Sequence, residues 1–274
     1  MELKFAYSPC PNDTFAFHAL TNNLVDCEGI IFSPVLMDVE QLNRCAYDQK
    51  YPICKLSYNA YFTLCDKYIM LRSGSALGYN NGPLLVSNNL TDPTKDDTIL
   101  IPGIHTTANL LLTIYFPHLT KKRELIFSQI ENYLANKGFN YGLLIHEGRF
   151  TYKQKNLELI ADLGEIWQKE NNLPIPLGGI AINRSLSKDI QYKVERVLRR
   201  SILFAIDNPT ASQGYVMDNA QEIETSVQQK HISLFVNDYS LDIGQEGSEA
   251  IYKLYSTGKK FNNLFRNNPE LILT

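Results

Sequence analysis

The chain has 274 residues, enough for one large domain or two of ordinary size, and 44% hydrophobic with 20% charged residues is the balance of a globular enzyme or binding protein. A net charge of −3, with basic residues only in short groups such as Lys121-Lys122-Arg123, Arg199-Arg200 and Lys259-Lys260, excludes a nucleic-acid binder that works through a broad basic surface. No apolar run reaches the ~20 residues that cross a bilayer. The start MELKFAYSPC has neither the basic nor the apolar region of a secretory leader, so a cytoplasmic protein without membrane or nucleic-acid partners is expected.

In chain order the pattern is strand, polar loop, helix, which predicts α/β architecture. LKFAYS (3–8) reads as a strand, followed by the stiff polar loop within SPCPNDTF (8–15) and a helix over 13–23 that Asp13 can cap. IIFSPVLMD (30–38) is the next strand, with a helix from Val39 to Tyr47. PICKLS (52–57) is the third strand, and Ser57 opens a short helix over 58–68. Residues 68–89, with glycines at 74, 78 and 82, read as extended segments and sharp turns ending in PLLVS.

The rhythm restarts at TILIPG (98–103), with HTT leading into a helix over 108–116. ELIFSQI (124–130) reads as strand and loop, ENYLANKG as a short helix and NYGLLIH (140–146) as a strand. LELIADLG and IWQKENNLP close that block, and PLGGIAINRSL (176–186) is a second extended, glycine-bearing segment. Ser187 then caps an amphipathic helix whose apolar positions Ile190, Val194, Val197, Leu198, Ile202 and Ala205 follow the 3.6-residue period. The remainder reads as mostly helical, including 248–261. Two extended crossings imply two α/β lobes, one made of 1–90 plus 181–274 and the other of 91–180, joined by a hinge with a cleft between them.

The five cysteines (10, 27, 45, 54, 65) are odd in number and lack CxxC or CxC spacing, so neither a disulfide framework nor a metal site is expected. They read as reduced core thiols, with Cys10 set apart by its loop. Four strand-to-loop junctions carry chemistry-bearing residues: SPCPNDT, KLSYN, HTTAN and LLIHEG. The first three end strands and begin helices, where free backbone N–H groups and hydroxyls suit an anion such as a carboxylate. Thr106 and Thr107 stand where the helix dipole is positive. Ser and Thr there are equally ordinary caps. His146 ends an apolar strand and fits either a general base or a hydrogen-bonded structural histidine. His18 and His118 read as structural or surface residues, His231 as packed in the apolar run HISLFV, and His105 as a lesser candidate for ligand contact. Walker, GxSxG, HExxH and GxGxxG signatures are all missing, which suggests chemistry without a bound cofactor or no chemistry.

Taken together, SPCPNDTF, KLSYNAY (55–61), RSGSALG (72–78), HTTANLLL (105–112) and LLIHEGRFTY (143–152) resemble the 1,4-dihydroxy-6-naphthoate synthase family of the futalosine route to menaquinone. PIPLGG (174–179) and SLDIGQEG (240–247) extend the likeness over nearly the whole chain. The resemblance implies a two-lobed type II periplasmic-binding-protein-like fold used as a cytoplasmic lyase. It implies conversion of cyclic dehypoxanthinylfutalosine, a small-molecule aromatic carboxylate, to 1,4-dihydroxy-6-naphthoate, with no metal or organic cofactor. It assigns the proton acceptor to His146 and substrate contacts to Lys55, Leu56, Ser57, Thr106 and Thr107. Asn12, beside Asp13 in the first loop, either caps the helix or faces the ligand. The competing expectation is a non-catalytic binder of a small organic anion on the same fold.

Overall fold

A computed structural model describes all residues except 90, 137, 221–223, 268 and 269. Residue 90, an expected lobe boundary, and residue 137, in the expected ENYLANKG helix, lie outside the described residues. The chain begins β1 (Glu2–Tyr7), α1 (Pro11–Thr21), β2 (Ile31–Leu36), α2 (Val39–Tyr47), β3 (Ile53–Ser57), α3 (Tyr58–Leu64), β4 (Tyr68–Met70) and β5 (Ala76–Gly78). It continues with β6 (Leu84–Ser87), β7 (Ile99–Ile101), α4 (Thr107–Tyr115), β8 (Lys122–Glu124), α5 (Phe127–Asn136), β9 (Tyr141–Leu144), α6 (Gly148–Thr151), β10 (Glu158–Asp162) and α7 (Leu163–Asn171). It ends with β11 (Ile175–Asn183), α8 (Lys188–Asp207), α9 (Gln213–Asn219), α10 (Thr225–Phe235), α11 (Asp238–Leu241) and α12 (Gly244–Gly258).

These strands form two sheets. The first runs β2-β1-β3-β11-β4, with β5 also paired to β11; the second runs β10-β6-β9-β7-β8. In the first, β1 pairs in parallel with β2 and β3, while β11 lies antiparallel to β3, β4 and β5. In the second, β7 is parallel to β8 and β9, and β6 is antiparallel to β9 and β10. The inner strands are covered on both faces, and their sequences show it: every residue of ICKLS in β3 and ILI in β7 is buried. On the first sheet, α8 buries Val194, Val197, Leu198 and Ile202 in one cluster with Phe17 and Leu20 of α1. Each such side chain contributes about 1.5–3 kcal/mol by leaving water.

The chain changes sheets between Gly78 and Leu84 and returns between Asn171 and Ile175. The segment 176–186 is therefore largely a strand of the first sheet rather than a connection, and 84–87 already belongs to the second. The first crossing packs tightly. A Cβ on Gly82 would lie 2.3 Å from the Gly164 Cα, and Arg149 donates to the Gly82 carbonyl while pairing with Asp162 at 2.5 Å. A single hydrophobic cluster joins Leu56 of the first sheet and Tyr58 and Tyr61 of α3 to Leu85 and Ile99 of the second sheet and Leu111 of α4.

Two expectations need correction. ELIFSQI is not a strand: α5 begins at Phe127, and Phe127, Ile130 and Leu134 bury one helical face at i, i+3 and i+7. Nor does Asp13 cap α1, because the helix already starts at Pro11, with Cys10 in the N-cap position. Proline at the first helical turn needs no donor there, so the chain enters the helix earlier than the polar cluster suggested.

Candidate active site

A cleft of about 720 Å³, its open mouth included, lies where the loops of both sheets meet. Its wall contains all seven residues singled out above: Asn12, Lys55, Leu56, Ser57, Thr106, Thr107 and His146. They arrive from four strand-to-helix junctions that the topology brings to one place.

One corner is built around Asp13, in the first turn of α1. Its carboxylate accepts hydrogen bonds from Ser8 at 2.8 Å, from the Asn12 amide at 2.9 Å and from Lys55 Nζ at 2.7 Å. Lys55 also donates to the Gly74 carbonyl. Both members of this ion pair are nearly enclosed, with side chains 9% and 3% exposed. Asn12 thus faces both ways: its amide nitrogen serves Asp13, while its Oδ1 is buried with no partner among the described residues.

A second group consists of two helix N-termini, one from each sheet. Ser57 occupies the N-cap position of α3 without making a cap bond; its hydroxyl accepts instead from Asn43, whose own oxygen takes the Ser57 N–H. Thr106 is a true cap, accepting from Asn109 N while donating to the Gly103 carbonyl. Thr107 ties the sheets together, donating to the Leu177 carbonyl at 2.6 Å and accepting from Asn59 N at 3.4 Å. Thr106, Thr107 and Ala108 at the N-terminus of α4 all line the cleft, and a helix N-terminus is a place suited to a carboxylate. His105 is drawn away from the cleft: its ring nitrogen lies 2.6 Å from Glu40, whose other oxygen accepts the His105 N–H. Arg44 links Glu40 to Glu124, so the same contact clasps the two sheets.

His146 sits just beyond β9, in the loop before α6. Its φ of +54° places a side-chain-bearing residue in the left-handed region, a strain of order 1 kcal/mol or more that concentrates at functional positions. The ring lies 4.7 Å from that of Phe127. Burial pushes its pKa down to about 4, with Asp13 opposing the shift and Lys55 adding to it. His146 is consequently a neutral imidazole at physiological pH, able to accept a proton. Cys10, His146 and Glu147 hold ligand-type atoms within 4.8 Å of one another, the one such trio among the described residues. Burial and the Glu147 charge push the Cys10 thiol well up, so it is neither a ready metal ligand nor an activated nucleophile.

Sequence reading missed two residues of the wall and one packed behind it. Asn81, on the first crossing, lines the cleft with both amide atoms buried and unpartnered among the described residues. Arg149 lines it while pinning the crossing. His231, read as packed, is indeed fully enclosed, but its ring is 5.8 Å from that of His146. The i, i+4 spacing of His231 and Phe235 on a helix was the available signal, since Phe235 also reaches the cleft wall. Gly179 and Asn109 have structural roles. A Cβ on Gly179 would meet Met70 Sδ at 2.6 Å, and Asn109 bonds the Ile104 carbonyl and Lys122.

Two sheets with an interposed cleft define a periplasmic-binding-protein-like chain. The alkanesulfonate-binding protein SsuA from Xanthomonas axonopodis pv. citri, solved with MOPS bound, aligns with a TM-score of 0.71 at 10% identity, covering 99% of this chain and 98% of that one. A solved protein from Archaeoglobus fulgidus aligns at 0.90 with 33% identity, covering 95% and 97%. At the level of the particular protein, residues 3–260 match the family model described as menaquinone biosynthesis, and the chain belongs to that family. It is 39% identical to a 1,4-dihydroxy-6-naphthoate synthase from Thermus thermophilus, over 93% of each chain. It is 35% identical to another from Streptomyces coelicolor, over 91% of this chain and 90% of that one. No helix among the described residues is long and apolar enough to cross a membrane.

Proposed function

We propose that the protein is a menaquinone-biosynthesis lyase that converts cyclic dehypoxanthinylfutalosine to 1,4-dihydroxy-6-naphthoate, with His146 as the proton acceptor. The observation that carries this reading is a neutral, strained imidazole on the wall of an open cleft that the N-terminus of α4 also lines. The substrate carboxylate docks at the first-turn amides of α4, an attraction of about 0.3–1 kcal/mol and more where water is excluded. The Asn12 oxygen and the Asn81 amide, otherwise unpartnered, take the hydroxyls of the sugar-derived portion. His146 then removes one proton, the bond to the sugar-derived fragment breaks, and the electrons left behind complete the aromatic ring.

The two sheets with their helices act as lobes that close over the substrate, the crossings at 79–83 and 172–174 serving as the hinge. The chemistry belongs to the side chains, without metal or organic cofactor, and the protein works in the cytoplasm. The test is incubation with the cyclic substrate and detection of naphthoate product, repeated after chelation. His146→Asn, a residue that tolerates positive φ, should lower kcat by roughly 10²–10⁴ while substrate affinity stays within a few-fold. No product from the native chain would favour a non-catalytic organic-anion binder; near-normal turnover by the variant would remove His146 from its role.

A further inference from the structure

His231 is a buried polar group that the proposed chemistry has not used. It lies on α10 with none of its surface exposed, and neither ring nitrogen has a partner among the described residues. Its neighbours are aromatic: Phe235 at 4.5 Å between ring centres, Phe150 at 6.5 Å and His146 at 5.8 Å. An apolar side chain would fill this space without stranding two polar atoms. The nearest described ring able to share a hydrogen bond is that of His146. From a centre separation of 5.8 Å, ring rotation can bring facing nitrogens to roughly 3.5 Å, a small closure short of hydrogen-bond range.

We propose that His231 is a positioning residue for His146: its neutral ring accepts a hydrogen bond from one His146 nitrogen, leaving the lone pair of the other aimed at the substrate. This rests on His146 being the base. The bond fixes the tautomer before the reaction and becomes charge-assisted once His146 carries the extracted proton. No proton is transferred to His231, whose enclosure makes it the weaker base. Three other charged groups of this region are engaged elsewhere. Asp13 is engaged by Lys55 and Ser8, Arg149 by Asp162, and Glu131 by Thr151. Glu147 lies close to Cys10 and His146, and Cys10 stays a thiol.

The test contrasts two variants whose packing and hydrogen-bonding effects run in opposite directions. His231→Leu removes the stranded nitrogens, so its melting temperature should equal or exceed the native value. Its kcat should nevertheless fall about 10–100-fold with KM within threefold, and the acid limb of kcat/KM should move to lower pH. His231→Gln restores an acceptor and should recover kcat to within about fivefold while melting lower. Full kcat and an unchanged pH profile in His231→Leu would overturn the role, as would activity that merely tracks melting temperature in both variants. The two readings fail separately. If His146→Asn is inactive and His231→Leu is normal, only the positioning role falls; if His146→Asn is active, the base itself is wrong.

Discussion

The two polar corners of the cleft are built on opposite principles. At Asp13 the buried charges are answered within the protein: Ser8, Asn12 and Lys55 all donate to one carboxylate, at 2.7–2.9 Å. At His146 the surroundings are aromatic, the backbone is held at positive φ, and the neighbouring His231 has no partner among the described residues. The first corner fixes the loop that the prolines of SPCPNDTF already stiffen. The second is left unsatisfied, as a site must be if its hydrogen bonds are to form with a substrate. Polar residues of equal prominence in the sequence thus do different work, and the difference lies in whether their partners belong to the chain.

Removing one member of the satisfied corner should produce the largest loss of stability. Lys55→Met strands the buried Asp13 carboxylate and should cost about 3–5 kcal/mol, lowering the melting temperature by roughly 10 °C. Adding Asp13→Leu should restore most of that loss, measured by calorimetry, whereas additive losses would show that the corner is not a coupled unit. Acid should act through the other corner. His146 is depressed to about 4 when folded against about 6.5 unfolded, so the unfolded chain binds the extra proton between those values. Stability is therefore fully present above pH 6.5 and is lost as pH falls toward 4, by about 2 kcal/mol at pH 5 from this residue. His146→Asn should flatten that slope in melting curves taken from pH 7 to 5. The smallest effect should come from the clasp at the cleft rim. Arg44 and Glu124 pair with side chains 55% and 40% exposed, so Arg44→Ala should change stability by less than about 1 kcal/mol.

Much of this architecture was legible in the chain. The α/β rhythm, the α2 boundaries and the amphipathic α8 follow from periodicity and capping, because those signals are local. The seven candidates share one cleft wall because strand-to-helix junctions of open sheets converge. Long-range pairing was not legible. PLGGIAINRSL looks like a linker, yet it forms the strand that β3, β4 and β5 share, which only the other strands could reveal. Asp13 has the composition of a cap and instead neutralises Lys55, 42 positions away. His231 sits in an apolar run and reads as core; its proximity to His146 depends on how α10 packs against a loop from the second sheet.

The central claim is that a half-buried, neutral His146 starts the reaction, and the pH dependence of kcat/KM tests it most directly. The account predicts a plateau from about pH 8 down to about pH 5, with the acid limb centred near 4. A limb centred near 6.5, the value of an ordinary exposed histidine, would contradict it.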